Sequence, residues 1–186
     1  VLVIENTELA DQYRSGEYKP LSTEQAISYC AFLKEWFEEH NIEVIRTGLQ
    51  SSEELDSGNS LIAGPYEPAM GELVVNEQYK QRIERCFDEH FSEGSLGDQY
   101  TYNFSPLSNH YSHKVECRTH VNNIDRLMQN RIVISYPRNL TSKVRGLKNR
   151  NILYFQETYP QFSIDWCEDS TRNTVRCCID GLQYVL

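Results

Sequence analysis

Two periods of apolar and polar positions run along this chain. Residues 1–4, VLVI, make an apolar run of strand type, and residues 7–16 read as a short helical turn or loop closing at Gly16. Tyr18-Lys19-Pro20 is extended, since the residue before a proline avoids the helical region. Ser22-Thr23-Glu24-Gln25 has the form of a capping box. Ala26, Cys30, Leu33 and Phe37 then recur on one stripe, widened by Ile27 and Trp36. That predicts an amphipathic helix, with Asn41 as a left-handed cap at its end. Ile42, Val44 and Ile45 read as a strand buried on both faces. Strand, helix and strand in this order predict a parallel βαβ unit with a right-handed crossover.

Beyond Thr47-Gly48 the chain turns polar and acidic until Gly64-Pro65 and Pro68 mark a turn and a new helix. This helix, residues 68–91, places Met70, Leu73, Val74, Ile83, Cys86 and Phe87 toward a core. Residues 92–112 have no period and read as a connector, with an alternating strand at 114–121 and a short helix at 123–129. A strand at 131–135 leads into a compact unit: PRNLTSKVRG, a turn GLKNR, a helix NILYFQETYP and a strand FSIDWC. Residues 169–173 read as a hairpin turn into a last strand at 174–179, where one of Cys177 and Cys178 is buried. The expected domains are 1–91, a connector at 92–122, and a basic α+β domain at 123–186.

Charge divides along the same line. Residues 1–100 carry a net −13 and residues 101–186 a net +4. The first part repels nucleic acid and the second can approach it. No apolar run nears the ~18 residues of a membrane span, and the acidic start lacks the basic region of a signal peptide. With no Cys-x-x-Cys among the six cysteines, reduced thiols and a cytoplasmic location are expected. A first residue other than Met, set inside an apolar strand, predicts that the chain is a fragment of something longer.

Two stretches, VLVIENTELADQYRSGEYKPLSTEQA and EVIRTGLQ…IAGPYEPAMGELV, carry a family resemblance. Over residues 1–75 the chain resembles the segment after the cluster-binding half of bacterial radical S-adenosylmethionine Fe–S oxidoreductases related to the Elongator catalytic subunit. Residues 131–167, with S-x-P-R-x-L and V-x-G-x-x-x-x-N-I-x-Y, look like the end of the same family. The resemblance implies an α/β fold: the closing βαβ of a partial (β/α)6 barrel, followed by an accessory domain. It also implies a four-iron four-sulfur cluster and S-adenosylmethionine in the full-length parent. The family holds that cluster with Cys-x-x-x-Cys-x-x-Cys. No three cysteines here have that spacing, so this chain is expected to hold no cofactor by itself, and the motif is expected upstream of Val1. Whether the chain counts as an enzyme therefore depends on its parent.

Candidate residues follow from position. Arg46, Thr47 and Gln50 end the expected final strand, the edge that faces the cavity in such barrels. Arg46 either holds a carboxylate or phosphate there or pairs with a nearby glutamate. Gly64-Pro65-Tyr66-Glu67 either shapes a loop over the cavity or merely starts a helix. His110, His113, Cys117 and His120 have metal-ligand chemistry, but their spacing matches no zinc motif and no metal site is expected. Arg138, Lys143, Arg145, Lys148 and Arg150 fall in a stretch without acids. The helix, glycine turn, helix and strand around them resemble the KH-type RNA fold, whose G-x-x-G loop clamps backbone nucleotides. Here the loop is Gly146-Leu147-Lys148-Asn149; Asn149 tolerates positive φ but adds a side chain where phosphate would approach. RNA is the expected partner, beside the missing N-terminal barrel half and self-association through an exposed barrel edge. The competing readings are a free-standing KH-like RNA-binding module without catalysis, and a basic face that only packs on the missing half.

Overall fold

The computed structural model describes residues 1–49, 52–58, 60–93, 113–116 and 131–186. The chain divides into two compact units, Val1–Gln78 and Tyr79–Leu186.

In the first unit β1 (Val3–Ile4) runs antiparallel to β2 (Leu61–Ala63), with Val3 opposite Ala63. Between them lie α1 (Glu8–Ser15), α2 (Thr23–Glu39) and the short α3 (Glu53–Asp56). Thr7 caps α1 by accepting from the Ala10 amide at 3.2 Å, and Gly16 ends it in the left-handed region at φ 83°. The capping box of α2 is complete: Ser22 Oγ accepts from the Gln25 amide at 3.2 Å, and Gln25 Oε1 accepts from the Ser22 amide at 3.0 Å. Ser22→Ala should therefore cost about 1 kcal/mol, read as a lower denaturation midpoint with an unchanged slope. Asn41 has φ 56°, and the Ile42 amide closes the helix end on the Phe37 carbonyl at 2.8 Å.

The strand expected at residues 42–45 does not form, and with it goes the parallel βαβ unit. Ile45 is 92% exposed, Ile42 is exposed too, and β1 takes its partner antiparallel from residues far downstream. An apolar run becomes a buried strand only beside an open strand edge, and this unit offers none at that place. The α2 stripe also differs. Ala26, Ile27 and Ala31 are buried, with Cys30 packed beside them, against Met70, Leu73 and Val74; Leu33 and Trp36 face outward. Small residues allow close helix approach, so size was a poor guide to the inner face.

Helix α4 (Met70–Glu93) buries all six residues expected of it. It starts at Met70 rather than at residue 68, and the division between units falls inside it, after Gln78. Met70, Leu73 and Val74 serve the first core; Ile83, Cys86 and Phe87 serve the second.

The second unit is a five-stranded sheet in the order β3-β7-β6-β4-β5. Its strands are β3 (His113–Glu116), β4 (Arg131–Tyr136), β5 (Ser163–Glu168), β6 (Arg176–Ile179) and β7 (Leu182–Val185). β4 and β5 are parallel, joined through α5 (Thr141–Arg145) and α6 (Arg150–Thr158); the other pairs are antiparallel. Ile132, Ile134 and Tyr136 alternate inward on β4 and meet Val144 of α5 and Phe155 of α6. Residues 169–173 are not a hairpin turn: β5 and β6 flank β4 on opposite sides, so this connection crosses the end of β4, where the Asp169 amide donates to the Tyr136 carbonyl at 2.8 Å. With β4 lying between them, β5 and β6 cannot close a tight return. The tight hairpin is β6–β7, turned by Asp180 (φ 49°) and Gly181 (φ 80°), a two-residue loop favoured by Asp-Gly. His90 of α4 holds it, with Nδ1 3.1 Å from the Tyr184 hydroxyl and Nε2 3.2 Å from the Asp180 carboxylate. The helix expected at 123–129 and the connector at 94–112 lie outside the described residues.

Candidate functional site

Two places collect the candidate residues. In the first unit, Gly48, Leu49, Pro65, Tyr66 and Glu67 line, together with residues of α2, an apolar groove of about 790 Å³. Gly48 is needed there: it has φ 83°, and a Cβ would stand 2.8 Å from Met70 Cβ. Residues 65–67 thus line this groove as well as preceding a helix. Arg46 is exposed and does not line the groove, Thr47 is half-buried at its margin, and neither ends a strand. Gln50 lies outside the described residues.

The second place is the edge of the sheet at the carboxyl ends of β4 and β5, where α/β proteins commonly place ligands. Everything between β4 and α6 sits there by topology: α5 follows the end of β4, and α6 returns to the start of β5. Arg138, Lys143, Arg145, Lys148, Asn149 and Arg150 therefore share one edge. All but Arg145 are exposed; Arg145 is half-buried. The turn between the helices is tightly determined. Gly146 has φ 77°, Lys148 φ 54° and Asn149 φ 61°, so the fourth loop position does demand a residue tolerant of positive φ. A Cβ on Gly146 would lie 3.0 Å from both the amide nitrogen and Oδ1 of Asn151, whose Nδ2 donates to the Val144 carbonyl at 3.0 Å. Gly146→Ala should cost about 1–3 kcal/mol, seen as a lower melting temperature.

Asn149 gives no side-chain cap to α6, and the first turn of that helix has no acid. Its positive dipole end is thus not neutralised by its own sequence. Tyr154 is not an open stacking platform: its hydroxyl donates to Glu84, and Lys80 Nζ lies 4.6 Å from its ring centroid. Phe155 is core.

Sequence reasoning missed three residues of this edge. Glu168 ends β5 and accepts from Thr141 Oγ1 at 2.9 Å. Trp166 packs on Phe155 with ring centroids 5.8 Å apart. Tyr136 is 1% exposed at the end of β4. Burial pushes its phenol up, opposed by the Arg145 guanidinium, which lies close by but makes no well-formed hydrogen bond to it. A Tyr directly before Pro137 at a strand end was the one available signal.

Among the described residues no group of three or more His, Cys, Asp or Glu is placed to hold a metal ion. His113 sits on β3, while His110, Cys117 and His120 lie outside the described residues. Cys177 is buried and Cys178 half-buried; the neighbouring Cys86 thiol and burial push the Cys177 thiol well up, so it packs as a neutral group. Among the described residues the cysteines do not gather into a three-thiolate site of the kind an iron–sulfur cluster needs.

Residues 1–81 match the family model of the radical SAM C-terminal domain, a span that nearly coincides with the first compact unit. No curated protein and no solved structure matches the chain. No described helix is long and apolar enough to cross a membrane. Over residues 1–81 the chain is thus similar to the C-terminal domain of radical S-adenosylmethionine proteins.

Proposed function

We propose that the chain is the C-terminal portion of a radical S-adenosylmethionine Fe–S oxidoreductase of the Elongator-related kind, and that its second unit grips RNA. The observation that carries the RNA reading is the gathering of five cations on one sheet edge around a glycine turn between two helices. Phosphate contacts of this kind position a polyanion without reading its sequence. The Gly146-Leu147-Lys148-Asn149 loop would act as a KH-like clamp, with Asn149 supplying the left-handed residue that glycine usually provides.

In the same reading the first unit helps to close a barrel supplied by the upstream part of the parent, with Arg46, Thr47 and Gln50 near its substrate. The cluster and S-adenosylmethionine belong to that upstream part, since the cysteines here do not fit them. The exposed apolar residues Ile42, Ile45 and Leu49 favour a covered state of this region in the parent.

The test is retention on single-stranded RNA as a function of salt. Binding at low salt should weaken by about tenfold or more between 50 and 200 mM, as counterion release demands. Retention that ignores salt, or none at 50 mM, removes the RNA reading. The parent is tested by the mass of the native polypeptide: a mass well above 21.7 kDa, with the three-cysteine motif in the added sequence, upholds it. In that intact enzyme Arg46→Ala should spare RNA binding and lower turnover. If it only unfolds the protein, Arg46 is structural.

A further inference from the structure

Among the described residues of the second unit, three polar side-chain atoms are buried with no hydrogen-bond partner: the Tyr136 hydroxyl oxygen, Arg145 Nε and Trp166 Nε1. They gather at one corner. In the parallel pair Ile134 stands beside Trp166 and Tyr136 beside Glu168, which places Tyr136, Trp166 and Glu168 on the same face. That face is covered by α5 and α6, through Val144 and Phe155. Arg145 ends α5 beside the Tyr136 phenol.

Buried donors without partners are uncommon in folded chains, and each calls for a reason. A half-buried guanidinium without a counter-ion is costlier still. Glu168, the acid aligned with Tyr136, is engaged by Thr141 instead. Arg145 Nε and Trp166 Nε1 can only donate, and the Tyr136 hydroxyl can donate or accept, so a single acceptor in the corner suits all three. The surrounding surface, with Arg138, Lys148 and Arg150 exposed, favours one that is negatively charged.

We propose that this corner seats one phosphoryl group, with the Arg145 guanidinium as its ion partner and Tyr136 and Trp166 as its backing. This deepens the RNA reading and rests on it in part: the phosphoryl group belongs either to an RNA backbone or to a free phosphorylated molecule. Arg145 is suited to the task because its planar fork meets two phosphate oxygens at once, which a lysine cannot do. The three orphan atoms are covered in the free chain, so seating the group requires Arg145 to turn on its exposed outer part. Arg138, Lys148 and Arg150 then supply general attraction, and Arg145 supplies the fixed contact.

The chain has two tryptophans, so Trp36→Phe leaves Trp166 as its single indole reporter. In this background the Trp166 Nε1–H resonance is followed while inorganic phosphate replaces chloride at constant ionic strength. A saturable shift is expected, and Arg145→Lys should weaken it by about tenfold. An unmoved resonance in the phosphate-free Arg145→Lys protein shows that the fold is intact. With RNA, Arg145→Lys should lose about tenfold in affinity at every salt concentration, whereas Lys148→Met should flatten the salt slope by about 0.7.

No shift up to tens of millimolar phosphate overturns the seat and assigns the three donors to buried water. A shift in a chain that retains no RNA upholds the seat for a free phosphorylated molecule and removes the RNA reading. RNA retention with a silent indole, and with Arg145→Lys equal to the unmutated chain, removes the seat and leaves the RNA reading standing.

Discussion

Lys148→Glu combined with Arg150→Glu is expected to lower affinity for single-stranded RNA by on the order of a hundredfold near 150 mM salt. Two phosphate contacts are lost, and two like charges now face the backbone. The salt slope should flatten by about 1.4, since each contact on a single strand contributes about 0.7. Both side chains are exposed, Lys148 in the turn before α6 and Arg150 at its first position, so the thermal transition should stay within a few degrees of its starting value. Filter retention across a salt series, with a melting curve on each sample, checks both halves. Unchanged retention in a protein that does bind RNA would move the contact off this edge. The basic face would then be one that only packs on the upstream half of the parent.

Phe87→Ala should cause the largest loss of stability, about 3–5 kcal/mol in the second unit. Its ring is 1% exposed and lies between those of Phe155, Tyr159, Phe91 and Phe162, at centroid distances of 5.4, 5.0, 6.3 and 6.3 Å. Truncation leaves a cavity that four rings bound, and rings held edge to face also lose their mutual attraction. Urea denaturation followed through Trp166 in the Trp36→Phe background reads the loss. A cost below 1 kcal/mol would mean that α4 is not a fixed part of this core.

What could be read from the sequence was mostly local. The capping box of Ser22 and Gln25 needs only neighbours along the chain, and it forms as expected. The inner face of α4 follows from a repeat of apolar positions, and all six expected residues are buried. The requirement for positive φ at Asn149 was visible because few residue types meet it. The motifs carried by residues 1–75 likewise pointed to the family model that residues 1–81 match.

What failed depended on partners that pattern does not name. Ile42, Val44 and Ile45 have strand composition, but whether an edge awaits them is a property of other residues. Asp169 to Asn173 reads as a turn either way; the order of β5, β4 and β6 decides whether it closes a hairpin or crosses a strand end. The corner of Tyr136, Arg145 and Trp166 is of the same kind. It exists only because β4 and β5 lie parallel in one register, and no spacing along the chain records that. In the sequence Arg145 is one of five equivalent cations; its partial burial sets it apart.

The position of β4 in its sheet also bears on the order in which the chain folds. Both of its neighbours, β5 and β6, come later in the chain, and β7, which carries the buried Tyr184, comes later still. Contacts between distant residues form slowly, because the intervening chain must first be ordered. During synthesis, Ile132, Ile134 and Tyr136 must therefore wait uncovered until residues beyond Ile179 have been made. In that interval they are an apolar segment of strand type with nothing to pair with, and that is when the nascent chain would most need a chaperone.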